Sequence, residues 1–152
     1  MRVLAGPAEA EAGRALAREL AGEPLVAHWT GQRGLRTLAG VFTHAARAGA
    51  AFVGCDSGPM HLAWTSGMRV VCLAGPQDAR RTGPWPLADG AGPHAIVRAR
   101  EEPACAPCFA RRCTHADGPV CLARIGADDV FAALARVRTV PEANRALVAR
   151  GS

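Results

Sequence analysis

The sequence predicts an α/β fold, a parallel sheet with flanking helices, on three observations. Short apolar runs alternate with helical patterns through Ala74, the layout of strands joined by crossover helices. The run RVVCLA, Arg69–Ala74, is continuously apolar and β-branched, as suits a strand buried on both faces. Gly6-Pro7, Thr30-Gly31, Gly49 and Gly67 fall between these runs, where such residues end one element and release the next.

Taken in order, Arg2–Ala5 is a strand stopped by Gly6-Pro7. Ala8–Ala21, rich in Ala, Leu, Glu and Arg with Leu16 and Leu20 four apart, is an amphipathic helix. Pro24–His28 carries Leu-Val-Ala and forms a second strand. After Thr30-Gly31, Leu35, Leu38 and Phe42 recur at helical spacing. That helix runs to about Ala48, with Gly49 in the usual glycine position beyond a helix end. Ala51–Gly54 is a third strand, Pro59–Ser66 a short helix closed by Gly67, and Arg69–Ala74 a fourth strand. Gly75–Pro93 is rich in Gly, Pro and charge and predicts loop. His94–Ala99 is a last strand and Cys105–Cys121 is irregular. Asp128–Arg138 and Pro141–Arg150 are closing helices, with Pro141 in a first-turn position. The whole of residues 1–152 is expected to form one domain: an α/β core over 1–100, a cysteine-rich segment over 101–125, and closing helices over 126–150.

A chain of 152 residues, 49% hydrophobic, can bury a core and is no disordered tail. Aromatics are scarce and Tyr is absent, so the core must be mostly Ala, Val and Leu. The net charge of +5 favours anionic partners, although the arginines are spread through the chain rather than gathered in a block. No apolar run approaches the roughly 20 residues of a membrane helix. The opening MRVLAGPAEAEAG lacks a secretory core, because Gly6-Pro7 interrupts it and Glu9 and Glu11 follow. The expected location is cytoplasmic, where the six cysteines would be thiols or metal ligands rather than disulfides.

The stretch GCDSGPMH, residues 54–61, lies where the third strand hands over to a helix. Ligands of open parallel sheets bind at this carboxyl edge. Ser57 can cap the helix, Gly58 admits a close ligand, and Pro59 fits the first turn without wasting an N–H. An oxyanion, phosphate above all, suits the N–H groups and positive dipole end there. His61 could donate to the same anion. Asp56 would repel a phosphate if it faced one, so its expected part is to accept loop N–H groups or to hold His61. A capped helix without ligand is the competing explanation.

The longer run GCDSGPMHLAWTSGMRVVCLAGPQDARRTGP resembles the signature of glycosyltransferase family 9, the family of the ADP-heptose:lipopolysaccharide heptosyltransferases. Asp56, Ser57, Gly58, His61 and Leu62 match its first part, and Gly75, Pro76 and Asp78 its second. RVLAGPAE is similar to a family strand-turn ending in glutamate, and WTGQRGL to the loop that flanks the nucleotide base. CAPCFARRCTHADGPVCLARI is like the cysteine-bearing tail of many members. The likeness spans roughly residues 2 to 138. It covers only the C-terminal, donor-binding half of a GT-B enzyme, clipped at its start; Gln77 replaces the common Thr.

The resemblance implies a Rossmann-like domain that binds a nucleotide sugar such as ADP-heptose for transfer to a lipopolysaccharide core acceptor, with inversion. Glu9 would meet the ribose hydroxyls, unless it is a plain first-turn acid. Gln32 and Arg33 would flank the base, and Asp56, Ser57, Gly58, Pro59, Met60 and His61 would surround the diphosphate and sugar. No residue here is assigned as catalytic. The general base is expected in an absent N-terminal acceptor half, so the chain is expected to be incomplete as a catalyst. No cofactor is required if amides and cationic side chains carry the leaving-group charge, and neither a nucleic-acid partner nor a transmembrane segment is expected, with peripheral membrane contact left open. Arg80 and Arg81 either reach phosphate or are solvated charges. Cys55 and Cys72, on predicted strands, are expected to be buried small hydrophobes.

Cys105, Cys108, Cys113 and Cys121 place four thiols within seventeen residues, beside His115. They could close a tetrahedral structural zinc site, hold an iron–sulfur cluster, or remain unligated. A second function class also fits the totals: a non-catalytic, cysteine-stapled basic module that binds nucleic acid or protein. Salt-sensitive RNA or DNA binding would mark it, yet the basic residues are not interleaved with aromatics and no nucleic-acid motif is present.

Overall fold

A computed structural model describes residues 1–22, 27–30, 34–84, 92–108, 110 and 112–139. Gln32, Arg33 and the helix expected at Pro141–Arg150 lie outside the described residues. The chain divides into two compact units, Met1–Leu38 and Ala39–Ser152.

In the first unit, β1 (Arg2–Ala5) and β2 (Ala27–Thr30) pair in parallel, Arg2 opposite Ala27 through Ala5 opposite Thr30. Between them come a 3-10 turn, Pro7–Glu9, and α1 (Ala10–Glu19). Pro7 opens that turn because its ring presets φ and its missing N–H is not needed there. Gly13 is the buried residue of α1. The second strand continues two residues past the expected His28, and Pro24–Val26 lie outside the described residues.

The helix α2 (Leu35–Arg47) leads into the second unit's sheet of three parallel strands in the order β3-β4-β5. These are β3 (Ala51–Cys55), β4 (Arg69–Leu73) and β5 (His94–Val97). Gly54 stands opposite Cys72 and Cys72 opposite Ile96, so the carboxyl ends of the strands are level. The crossover helix α3 (Gly58–Thr65) joins β3 to β4. As its unbroken apolarity predicts, β4 is buried on both faces, with Val70, Val71 and Cys72 all at 0% exposure. On one face Val71, Ala95 and Val97 pack with Ala133 and Val137 of α6 (Ala127–Thr139), helped by Leu73 and Leu134. Met60 and Ala63 of α3 are also fully buried. Phe42 of α2 meets Phe52 of β3 edge to face at 5.7 Å. The core is therefore Val- and Ala-rich, as the composition requires.

Both helices that the sequence ends at glycine do end there. Gly49 has φ +76° and Gly67 φ +86°, the left-handed conformation that costs other residues a Cβ clash. Each follows its helix in a paired-carbonyl cap: Gly67 N–H donates to Trp64 O and Met68 N–H to Ala63 O, both at 3.0 Å. The same pair recurs at Gly49 and Ala50, donating to Ala46 and Ala45.

Two expectations need correction. The segment expected to be loop after Gly75 contains a one-turn helix, α4 (Ala79–Thr82), because the Asp78 side chain caps it by accepting the Arg80 N–H at 3.2 Å. The end of the cysteine segment likewise holds a one-turn helix, α5 (Val120–Ala123), anchored by buried Val120.

Candidate functional site

The carboxyl edge of the second unit's sheet brings two loops together. The first, after β3, carries Asp56 and Ser57 into α3, and the second, after β4, leads through Asp78 into α4. Asp56 joins them. Its Oδ1 lies 3.2 Å from His61 Nε2, and its Oδ2 accepts the Thr82 hydroxyl. Asp56 is nearly enclosed, its side chain 9% exposed, whereas His61 remains 45% exposed. The Trp64 indole N–H lies 3.5 Å from His61 Nδ1, so that nitrogen is the acceptor and Nε2 carries the proton given to Asp56. Asp56 thus holds His61, one of the two parts the sequence left open for it. Both ring nitrogens of His61 have a partner within the site, Asp56 and Trp64.

Ser57 occupies the cap position but does not cap. Its backbone is extended, and its hydroxyl donates to the Cys55 carbonyl at 3.1 Å instead of accepting an α3 N–H. That corrects the sequence expectation, because a hydroxyl turned back to the strand end cannot face the helix. The consequence is chemical. The first-turn N–H groups of Gly58 and Met60 have no carbonyl within the helix to reach, Pro59 offers none, and no acidic residue stands in that turn. The His61 N–H already bonds Ser57 O. Ser57, Gly58 and Pro59 are exposed, so of the uncapped amides it is that of Gly58 that belongs to an exposed residue. Met60 is fully buried as a whole residue, so its amide is enclosed with its side chain.

The second loop is shaped to deliver Thr82. The Arg80 side chain, and then its N–H, hold the Asp78 carboxyl below the ordinary carboxylate range; Arg80 itself is spent on this contact at 3.1 Å. Arg81 is exposed. Gly83 closes α4 by donating to Ala79 O at 2.8 Å, and a Cβ on it would collide with that same carbonyl. Gly83→Ala should therefore unwind the turn, cost about 1–3 kcal/mol as overpacking does, and pull Thr82 off Asp56. Chemical denaturation together with loss of the Thr82 hydroxyl proton signal checks this outcome.

The cysteine segment docks beside this loop. Cys108 N–H donates to Pro76 O at 2.6 Å, and a Cβ on Gly75 would come within 2.6 Å of Leu122 Cγ of α5. Its backbone rather than its thiols makes the anchoring contact. Cys105 and Cys113 are exposed, and Cys108 and Cys121 half-buried. Among the described residues no group of three or more His, Cys, Asp or Glu is placed to hold a metal ion, so these four thiols are not assembled as ligands. Cys72 is buried as expected, its thiol pushed up to about 12 by burial first and by Asp56 second. Cys55 departs from expectation: it is exposed at the strand end, and partial burial with Asp56 beside it raises its pKa. In timed maleimide labelling followed by mass spectrometry, Cys105 and Cys113 should react first and Cys72 last. Early modification of Cys72 would contradict its burial.

Glu9 belongs to the first unit. It is exposed, precedes α1 without a side-chain cap, and its carboxylate lies over Gly6, where a Cβ would sit 2.7 Å from Oε2. The sequence reading did not single out Thr82 or Trp64. Trp64 could have been found as the residue one helical turn after His61. Thr82 is 26 residues from Asp56, and only its place before Gly83-Pro84, in the second matching loop, hints at it.

A family model described as Glycosyltransferase family 9 (heptosyltransferase) matches residues 2–117 of the 152. No curated protein and no solved structure matches the chain.

Proposed function

Because the chain belongs to glycosyltransferase family 9, the heptosyltransferase family, we propose that it binds a nucleotide-activated sugar of the ADP-heptose kind by its diphosphate at the amino end of α3. One observation carries this reading: the exposed first turn of α3 is left uncapped because the Ser57 hydroxyl turns back to Cys55. Uncapped N–H groups at the positive end of a helix are an anion site already aimed.

In glycosyl transfer the bond from the anomeric carbon to the diphosphate breaks, and negative charge grows on the departing oxygen. Fixed amides stabilise that charge without reorganising during the reaction. The Gly58 N–H group at the exposed end of α3 would do this here. Asp56 keeps the mouth rigid by holding His61 on α3 and Thr82 on α4, so its charge is directed at those partners rather than at the phosphate. Glu9 would take the ribose hydroxyls, and Gln32 and Arg33 the base. The acceptor in this reading is a hydroxyl of a lipopolysaccharide core. The base that deprotonates it would come from an acceptor-binding half.

Titration calorimetry with ADP and an ADP-sugar tests the reading. A saturable heat that survives moderate salt supports it. Absence of heat from folded protein, or tight salt-sensitive binding to RNA instead, overturns it.

A further inference from the structure

A second cavity lies at the opposite, amino-terminal end of the same sheet. It is a half-open depression of about 330 Å³, at the small end of the roughly 300–1,000 Å³ range of small-molecule sites. Its walls come from the ends of four elements: Arg47 of α2, Trp64 of α3, Met68 and Arg69 around the start of β4, and His94 at the start of β5. No acidic residue is among its described lining residues.

His94 is the unexpected member. No sequence pattern singles it out, yet it is 3% exposed and neither ring nitrogen has a hydrogen-bond partner among the described residues. A buried polar group left unpaired is costly, and native proteins rarely retain one without a use. Among the described residues its ring neighbour is Trp64, edge to face at 6.4 Å, a contact that satisfies neither nitrogen. Burial pushes its pKa down to about 4, so at neutral pH the ring offers one donor and one acceptor. Positive charge at the cavity comes instead from the arginines. Arg47 is exposed at the rim, and Arg69 is fixed by donating to the Arg138 carbonyl at 3.0 Å.

We infer that this cavity is a second ligand site, which takes a small organic oxyanion, a carboxylate or phosphate ester on an apolar body. The oxyanion meets the Arg47 and Arg69 end, the apolar body lies against Trp64 and Met68, and His94 hydrogen-bonds a polar group of the ligand. The site is separate from the α3 mouth, since α3 contributes its carboxyl end here and its amino end there. The inference stands whether or not the diphosphate reading holds.

The test uses the full chain, labelled with ¹⁵N, and follows the histidine ring nitrogens during titration with benzoate, phenyl phosphate or uncharged benzyl alcohol. The His94 signals are identified by their loss in His94→Gln. At millimolar probe, benzoate or phenyl phosphate should shift them saturably. Benzyl alcohol should bind at least about tenfold more weakly. Arg47→Gln changes an exposed residue and keeps the fold, and it should weaken the anion by a similar factor. The inference is overturned if neither anion shifts His94 saturably, if benzyl alcohol binds equally well, if Arg47→Gln has no effect, or if ADP displaces the probe.

Discussion

Met60→Ala is expected to lower the stability of the protein by about 2–5 kcal/mol, the range for removing a large buried aliphatic side chain. Met60 is the largest of the fully buried side chains. It sits in the first turn of α3, whose exposed upper side is the proposed diphosphate mouth. Truncation forfeits its transfer free energy and leaves a cavity that the tightly packed β4 residues Val70 and Cys72, both at 0% exposure, can fill only in part. Against an ordinary domain stability of about 5–15 kcal/mol, that loss is large. Val53→Ala is the contrast. Its side chain is 41% exposed, so it should cost about 1 kcal/mol or less. Urea unfolding of both variants decides the matter; a Met60→Ala midpoint equal to wild type would contradict the packing described for α3.

Asp56→Ala is expected to weaken ADP binding by about 10–100-fold, or about 1.4–2.8 kcal/mol. Two effects of opposite sign compete. Removing a negative charge near the diphosphate should strengthen binding, but that carboxylate is already engaged on both oxygens by His61 and Thr82. Removing the carboxylate also strips the hydrogen-bond partner from His61 Nε2 and the Thr82 hydroxyl at once, and unpaired groups in a half-buried site cost about 1–3 kcal/mol. The second effect is the larger, because the Asp56 oxygens are directed at His61 and Thr82. Asp56→Asn, which can still accept one of the two bonds, should fall between. Tighter ADP binding by Asp56→Ala would show that this carboxylate faces the anion.

Much of this architecture is legible in the sequence because it rests on local signals. The ends of α2 and α3 follow from Gly49 and Gly67, whose positive φ angles only glycine adopts cheaply. The burial of β4 follows from RVVCLA, and the position of the site follows from the strand-to-helix step at GCDSGPMH. The rest depends on distances that sequence does not encode locally. Ser57 had two partners within reach, the α3 amides and the Cys55 carbonyl, and only the extended backbone that the fold imposes selects the second. The one-turn α4 was hidden in a Gly- and Pro-rich stretch, since its stability comes from a single cap by Asp78. The Thr82–Asp56 bond joins residues from separate loops. The cysteine spacing suggested a ligand set, yet the segment is held by the Cys108–Pro76 backbone bond. His94 carries no sequence pattern at all, and its unusual state is purely a matter of burial.

Everything proposed for donor binding depends on the amino end of α3 receiving a diphosphate. The direct measurement is a ¹H–¹⁵N amide spectrum of the folded chain titrated with ADP. The Ser57 and Gly58 amides should shift downfield along a single saturable curve as they take up hydrogen bonds, with smaller changes at Asp56 and Thr82. Saturable ADP binding that leaves those two amides in place, with the shifts clustered elsewhere, would contradict the assignment.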